Sequence, residues 1–174
     1  MKLKNGLELS ISKAVKEDAK AMIEYLNIVG GESDNLLFGK NGFHMSAEEE
    51  ERYIEHIDES KVSALFVGKI HGEIVCAGSI QAPSRERISH QADIAVSVKK
   101  AYWNIGIGTA LMKTLIAFAK RSGITEIIHL GVRADNFSAI KLYENIGFRK
   151  IGLYENFFKI NGSYHDEILM NLYL

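Results

Sequence analysis

Gly106 and Gly108 stand two apart in Trp103-Asn104-Ile105-Gly106-Ile107-Gly108. The run before them, Asp93-Ile94-Ala95-Val96-Ser97-Val98, reads as a strand, and a helix opens at Ile107. Glycine at such a junction lets the backbone come close to a ligand, and the first turn of a helix leaves N–H groups without partners inside it. Those donors, with the positive end of the helix dipole, suit a phosphate or pyrophosphate. The glycine pair by itself also fits a plain tight turn. A dinucleotide fingerprint is disfavoured, because the third glycine is missing and the turn lies late in the chain, behind antiparallel strands.

Other reactive residue types are scattered. The single Cys76 sits in Ile74-Val75-Cys76-Ala77 and reads as a small core hydrophobe, and no second cysteine exists to make a disulfide. His129, among Ile127, Ile128 and Leu130, reads as a core histidine. The histidines form no spaced ligand set, so no metal is expected.

The elements that must position these residues follow from periodicity. Leu7 to Ile11 alternates as a half-buried strand, and Lys16 to Ile28 has helical spacing that Gly30-Gly31 is expected to end. Ser46-Ala47-Glu48-Glu49 is a capping box for a second helix to about Asp58. Ser63 to Ile70 and Glu73 to Gln81 read as strands joined at His71-Gly72, and a loop through Pro83 and Arg87 leads to a strand from His90 to Val98. Ile107 to Arg121 reads as the strongest helix of the chain, with an apolar inner stripe, and is stopped by Gly123. A short strand, Glu126 to Val132, precedes a helix from Asn136 to Asn145 that ends at Gly147. Two closing strands, Phe148 to Ile160 and Ser163 to Leu172, turn at Asn161-Gly162. This order predicts an α/β fold on a mixed sheet, antiparallel at first, with one strand–helix–strand crossover.

The chain of 174 residues, with one proline and no low-complexity tract, reads as one domain over residues 1–174, its ordered core at about 7–172. A net charge of −1 without a basic block argues against nucleic acid, and no apolar stretch is long enough to span a membrane. The polar start Met1-Lys2-Leu3-Lys4-Asn5 leaves no signal-peptide core, so a cytoplasmic location is expected.

Two motifs in order narrow the reading. Trp103 to Gly108 is followed by Asn136-Phe137-Ser138-Ala139-Ile140-Lys141-Leu142-Tyr143 and then by Gly147-Phe148. The chain thereby resembles the GNAT family of N-acetyltransferases, which reads Gln/Arg-x-x-Gly-x-Gly/Ala at the head of a helix, then Asn-x-x-Ala-x-x-x-Tyr and a Gly-Phe pair. The resemblance covers roughly residues 60 to 174 well and the first helices loosely. It implies a mixed, mostly antiparallel seven-stranded sheet flanked by about four helices, with the fourth strand splaying from the fifth. It implies acetyl-CoA as co-substrate. Backbone N–H groups of Trp103, Asn104, Ile105, Gly106, Ile107, Gly108 and Thr109 would hold the pyrophosphate. The backbone of Val96, Ser97 and Val98 would pair with the pantetheine arm, with Asn136, Ala139 and Tyr143 near the arm and the sulfur. Trp103 departs from the family's Gln or Arg, so phosphate binding must rest on backbone donors. Lys99, Lys100 or Lys141 could supply the missing charge.

The implied transfer needs a neutral amine. Deprotonating a lysine-type amine costs about 4.6 kcal/mol at pH 7, and an α-amine about 1.4 kcal/mol. Asp93, on the strand facing the arm, is the first candidate base, through a water because the side chain is short; it could equally hold a substrate by a salt bridge. Alternation puts it on one face with Ala95 and Ser97, opposite Ile94, Val96 and Val98, unless a bulge intervenes. His90 is a second candidate near the same strand's start. Tyr143 is the candidate acid, and a hydrogen bond to the developing thiolate is easier to defend than full proton transfer. On the family's plan Glu32, Asp34, Phe38, His90 and Tyr164 would line the acceptor side, whose acidic members suit a cationic small-molecule or peptide amine. The competing reading is a non-catalytic acyl-CoA sensor with the same fold. Self-association through the terminal strands to a homodimer is compatible with either.

Overall fold

The computed structural model describes residues 1–174. Its strands are β1 (Ser10–Lys13), β2 (Ala64–Ile70), β3 (Glu73–Gln81), β4 (Gln91–Val98), β5 (Ile127–Arg133), β6 (Arg149–Ile160) and β7 (Ser163–Tyr173). Its α-helices are α1 (Ala19–Glu32), α2 (Ala47–Asp58), α3 (Ile107–Ser122) and α4 (Phe137–Ile146). The local signals act as their chemistry requires. Ser46 and Glu49 close a reciprocal capping box on α2, and the Asn136 side chain accepts the Ala139 N–H at 3.3 Å to start α4. Gly123 and Gly147 end α3 and α4 in the left-handed conformation, at φ 66° and 113°. Both hairpin turns, His71-Gly72 and Asn161-Gly162, have two consecutive positive φ values, which matches the twist of the strands they join.

Two expectations at the N-terminal end are corrected. The first strand starts at Ser10, because Lys2 pairs only with Glu8 and the segment before it forms an isolated bridge rather than a ladder. The first α-helix does not stop before Gly30-Gly31 but runs through both to Glu32. A Cβ on Gly30 would stand 2.5 Å from the Gly39 carbonyl oxygen and 2.9 Å from the Phe38 ring, so this glycine admits the following loop instead of ending the helix.

The sheet has seven strands in the order β1-β2-β3-β4-β5-β7-β6. Every adjacent pair is antiparallel except β4 and β5. α3 packs on one face, over a core that includes Phe66, Ile80, Ile94, Leu111, Leu115, Ile128 and Met170. α1 and α2 cover β2 and β3 on the other face through Met22, Tyr25, Ile54, Val67 and Ala77. Cys76 is fully buried in the first core, where burial pushes its thiol up to about 12, in keeping with a packing role.

β4 and β5 pair only over Gln91–Asp93 and Ile127–His129. Beyond that point β4 stays with β3 as far as Val98, and β5 stays with β7 as far as Arg133. The two halves of the sheet therefore part in a wedge whose apex is the Asp93–His129 pair. This is the splay between fourth and fifth strands that the resemblance implied.

Candidate functional site

One wall of the wedge is the free edge of β4. The Lys99 N–H donates to the Val75 carbonyl on β3 at 2.9 Å, and the β3–β4 register is unbroken from Asp93 to Val98. Strand alternation then turns the N–H and C=O of Val96 and Val98 away from β3, into the wedge. Side chains alternate in step. Ile94, Val96 and Val98 lie against the α3 core, while the Ser97 hydroxyl meets the Tyr25 hydroxyl of α1 at 2.9 Å. Asp93, on the face of Ser97, is exposed. No bulge disturbs this phase.

The wedge's mouth is the turn into α3. Asn104 and Gly106 both adopt left-handed backbone, at φ 64° and 101°. Gly106 is the N-cap of α3; its carbonyl accepts the Ala110 N–H, which leaves the N–H groups of Ile107, Gly108 and Thr109 without helical partners. No acidic side chain occupies this first turn. Successive N–H groups around a left-handed residue form an anion-binding concavity, and the helix dipole adds to it. A Cβ on Gly108 would make only an ordinary 3.5 Å contact with Leu142, so its requirement is weaker than that of Gly106. Ile105 packs on the core and anchors the turn.

Trp103 has a role that no local pattern announces. Its indole N–H donates to the Val98 carbonyl at 2.7 Å and closes the turn onto the end of β4. That donor is spent inside the fold, and the open edge of β4 is reduced to Val96 and the Val98 N–H. Lys99 is paired with Glu73, so it supplies no charge to the turn. Lys100 stands over the Trp103 ring at 6.0 Å, and Lys141 is exposed on α4. A groove of about 490 Å³ continues from Thr109 between α3, α4 and the end of β7, with Lys113 and Lys120 on its wall.

Tyr143 lies in α4, buried, with its ring 5.8 Å from that of Phe148. Burial pushes its hydroxyl up to about 12. The Asn136 side-chain oxygen is taken by the α4 cap, and Ala139 is partly buried beneath the same helix.

The acceptor-side residues are held in less direct ways. The Glu32 carboxylate accepts the Lys100 N–H at 2.7 Å, and the Asp34 carbonyl accepts from Arg133 at 3.0 Å. The α1–α2 loop is thereby tied to the turn at one end and to the tip of β5 at the other. Phe38 packs under Gly30 and against Phe43, 5.9 Å away. His90 precedes β4 at the end remote from the turn, and Tyr164 is exposed on the β6–β7 hairpin beneath the Lys159 ammonium, so neither reaches the mouth of the wedge.

Three further charged side chains escaped the sequence reading, Arg133 and Glu167 at the open arm of β5 and Glu50 on α2. Arg133 forms a fork with Asp135 and braces the α1–α2 loop, which holds its guanidinium above the usual range. Glu167 and Glu50 are buried carboxylates, both raised above the usual carboxylate range by burial. One Glu50 oxygen has no hydrogen-bond partner. A glycine inside the β5 strand, Gly131, is the signal that could have exposed Glu167, because strand glycines mark close approach.

A family model described as the acetyltransferase (GNAT) family matches residues 34–148, two thirds of the chain. The chain belongs to the acetyltransferase (GNAT) family. Among its relatives is the L-amino acid N-acetyltransferase AaaT of Escherichia coli, 34% identical over 105 residues, which take in 60% of this chain and 65% of that protein. The structure of a GNAT-family acetyltransferase from Streptococcus pneumoniae superposes with a TM-score of 0.94 at 30% identity, over 96% of this chain and all of the other. A Salmonella typhimurium acetyltransferase, described with its cofactor acetyl-CoA, shares the fold at a TM-score of 0.83 and 20% identity, over 95% and 94% of the two chains. Within this GNAT chain the family's two motifs fall on the head of α3 and on α4, on either side of β5.

Proposed function

We propose that the protein is an acetyl-CoA-dependent N-acetyltransferase that passes the acetyl group directly to a primary amine of a small molecule or peptide, with both substrates bound together. The wedge between β4 and β5, with an anion-binding turn at its mouth, carries this reading. Pyrophosphate held by the N–H groups from Asn104 to Thr109 directs the pantetheine arm down the free edge of β4, where Val96 and the Val98 N–H pair with it as an added strand. The thioester then lies towards the Asp93–His129 apex, and the acceptor enters from the open face opposite α3.

On this reading the amine nitrogen attacks the thioester carbonyl carbon, and the thiolate leaves. Full proton donation from Tyr143, near 12, to a thiolate whose acid is near 8.5 is uphill by about 5 kcal/mol. Tyr143 therefore acts as a hydrogen-bond donor to the developing charge, not as a proton source. Asp93, exposed at the apex, meets the incoming ammonium and orients it towards the thioester before its proton is lost. The name of the Escherichia coli relative favours free α-amines, for which deprotonation costs least.

Thiol release from acetyl-CoA, measured over a panel of amino acids, small primary amines and N-terminal peptides, tests the proposal. Amine-dependent release well above hydrolysis is expected for at least one class. Coenzyme binding without such release would instead make the protein an acyl-CoA sensor.

A further inference from the structure

Glu167 sits in the middle of β7, opposite Arg133 of β5 and Tyr154 of β6. Its carboxylate folds back across Gly131. A Cβ on Gly131 would stand 2.2 Å from one carboxylate oxygen, 2.4 Å from the carboxylate carbon and 2.9 Å from the other oxygen. Any other residue there would expel the carboxylate, so Gly131 is a notch that admits it. The notch is two residues beyond His129, on the arm of β5 that β4 has already left. Ile128, Leu130 and Val132 point into the α3 core, so His129, Gly131 and the Glu167 carboxylate lie on the opposite face, with Asp93 beside His129.

The groups around this carboxylate leave it unpaired. Arg133 is spent on Asp135 and on the Asp34 carbonyl, and His165 lies 3.5 Å from Arg133 and 3.8 Å from Asp135. His129 is fixed by Asn171 at 2.7 Å, and burial, which raises Glu167, outweighs the opposing effect of His129 nearby. Tyr154 is exposed, and no hydrogen bond or ion pair within the protein involves the Glu167 carboxylate. Glu167 is 9% exposed, whereas Asp93 is open to solvent. A largely buried carboxylate without a protein partner, held in a fixed notch, is a better proton acceptor than an exposed one.

We infer that Glu167 takes the proton from the acceptor's ammonium directly, leaving Asp93 to attract and orient that ammonium at the apex. The assignment rests on the N-acetyltransferase reading and revises only which carboxylate is the base. The ammonium gives one proton to Glu167, the neutral nitrogen forms the C–N bond, and the C–S bond breaks with its electron pair on sulfur. The second nitrogen proton passes to the thiolate through water, and Glu167 returns its proton to solvent.

The test compares the full-length protein with Glu167→Gln, Gly131→Ala and Asp93→Asn, using the most active primary amine of the panel and hydroxylamine, which is already neutral at pH 7. Glu167→Gln should lower kcat/KM for the amine about a hundredfold at pH 7. The deficit should shrink as pH rises towards the amine's own pKa. Release with hydroxylamine and coenzyme affinity should change little. Gly131→Ala, which displaces the carboxylate, should reproduce this pattern. Equal losses with both acceptors at every pH, or a wild-type rate in Glu167→Gln, would overturn the assignment. So would a larger pH-dependent loss in Asp93→Asn. Absence of release by the unmodified protein with every amine and with hydroxylamine would instead remove the acetyltransferase reading, and this assignment with it.

Discussion

At the residue scale, the side chains that decide the site are those whose hydrogen bonds are already committed and those that are free. Trp103, Glu32, Asn136 and Ser97 each spend a polar group inside the fold, which leaves backbone N–H groups, Tyr143 and the acidic groups of the open face for ligands. Tyr143→Phe keeps the ring against Phe148 and removes only the hydroxyl. It should lower kcat about 10- to 100-fold with coenzyme affinity unchanged, and turnover within twofold would remove Tyr143 from the mechanism. Glu50 bears on stability. Its folded-state pKa lies above the unfolded value, so the native state binds more protons there and stability falls as pH rises from the unfolded pKa to the folded one. Glu50→Met should accordingly raise Tm by roughly 2–4 °C at pH 7.5 and by much less at pH 4, a comparison that thermal melts at the two values make directly. Neither Glu50 nor Glu167 was legible in the sequence. One lies inside the run Glu48 to Glu51, which reads as a solvated helix face, and the other follows Asp166 in an edge hairpin. Only tertiary packing distinguishes Glu50 from its neighbours, and for Glu167 the one hint is the strand glycine Gly131 that admits it.

At the scale of elements, alternation and capping chemistry foretold most strands and helices to within a residue or two, because their signals are local. The failure at Gly30-Gly31 has a physical cause. A glycine pair reads as a stop when only the helix is considered, but here the pair is spent on close approach of the Phe38–Lys40 segment. Gly30→Ala tests this. Helix propensity alone predicts a gain of about 1 kcal/mol. The backbone oxygen of Gly39, 2.5 Å from the new Cβ, predicts a net loss of roughly 1–3 kcal/mol, and urea unfolding gives the sign. The same loop bridges the turn and β5 through Glu32 and Arg133, so loosening it should weaken the amine's KM more than coenzyme affinity.

At the scale of the whole molecule, the site exists because the sheet divides. β4 and β5 are joined over three residue pairs, and each then follows its other neighbour. The strand and helix order in the sequence implies a mixed sheet. The wedge itself depends on register between strands more than thirty residues apart, so it came from resemblance to the GNAT family and not from periodicity. The expected acceptor side was least legible, for Glu32, Asp34, Phe38, His90 and Tyr164 come from separate stretches of the chain and carry no local motif. The turn at the mouth tests the whole arrangement most directly, since its backbone donors must hold the coenzyme without help from Trp103. Gly106 sits at φ 101°, where a branched side chain is strained by about 1–2 kcal/mol. Titration of acetyl-CoA binding should show a loss of about tenfold or more for Gly106→Val, with Trp103→Ala much milder. The reverse ranking, or native affinity in Gly106→Val, would contradict a coenzyme site built on that backbone.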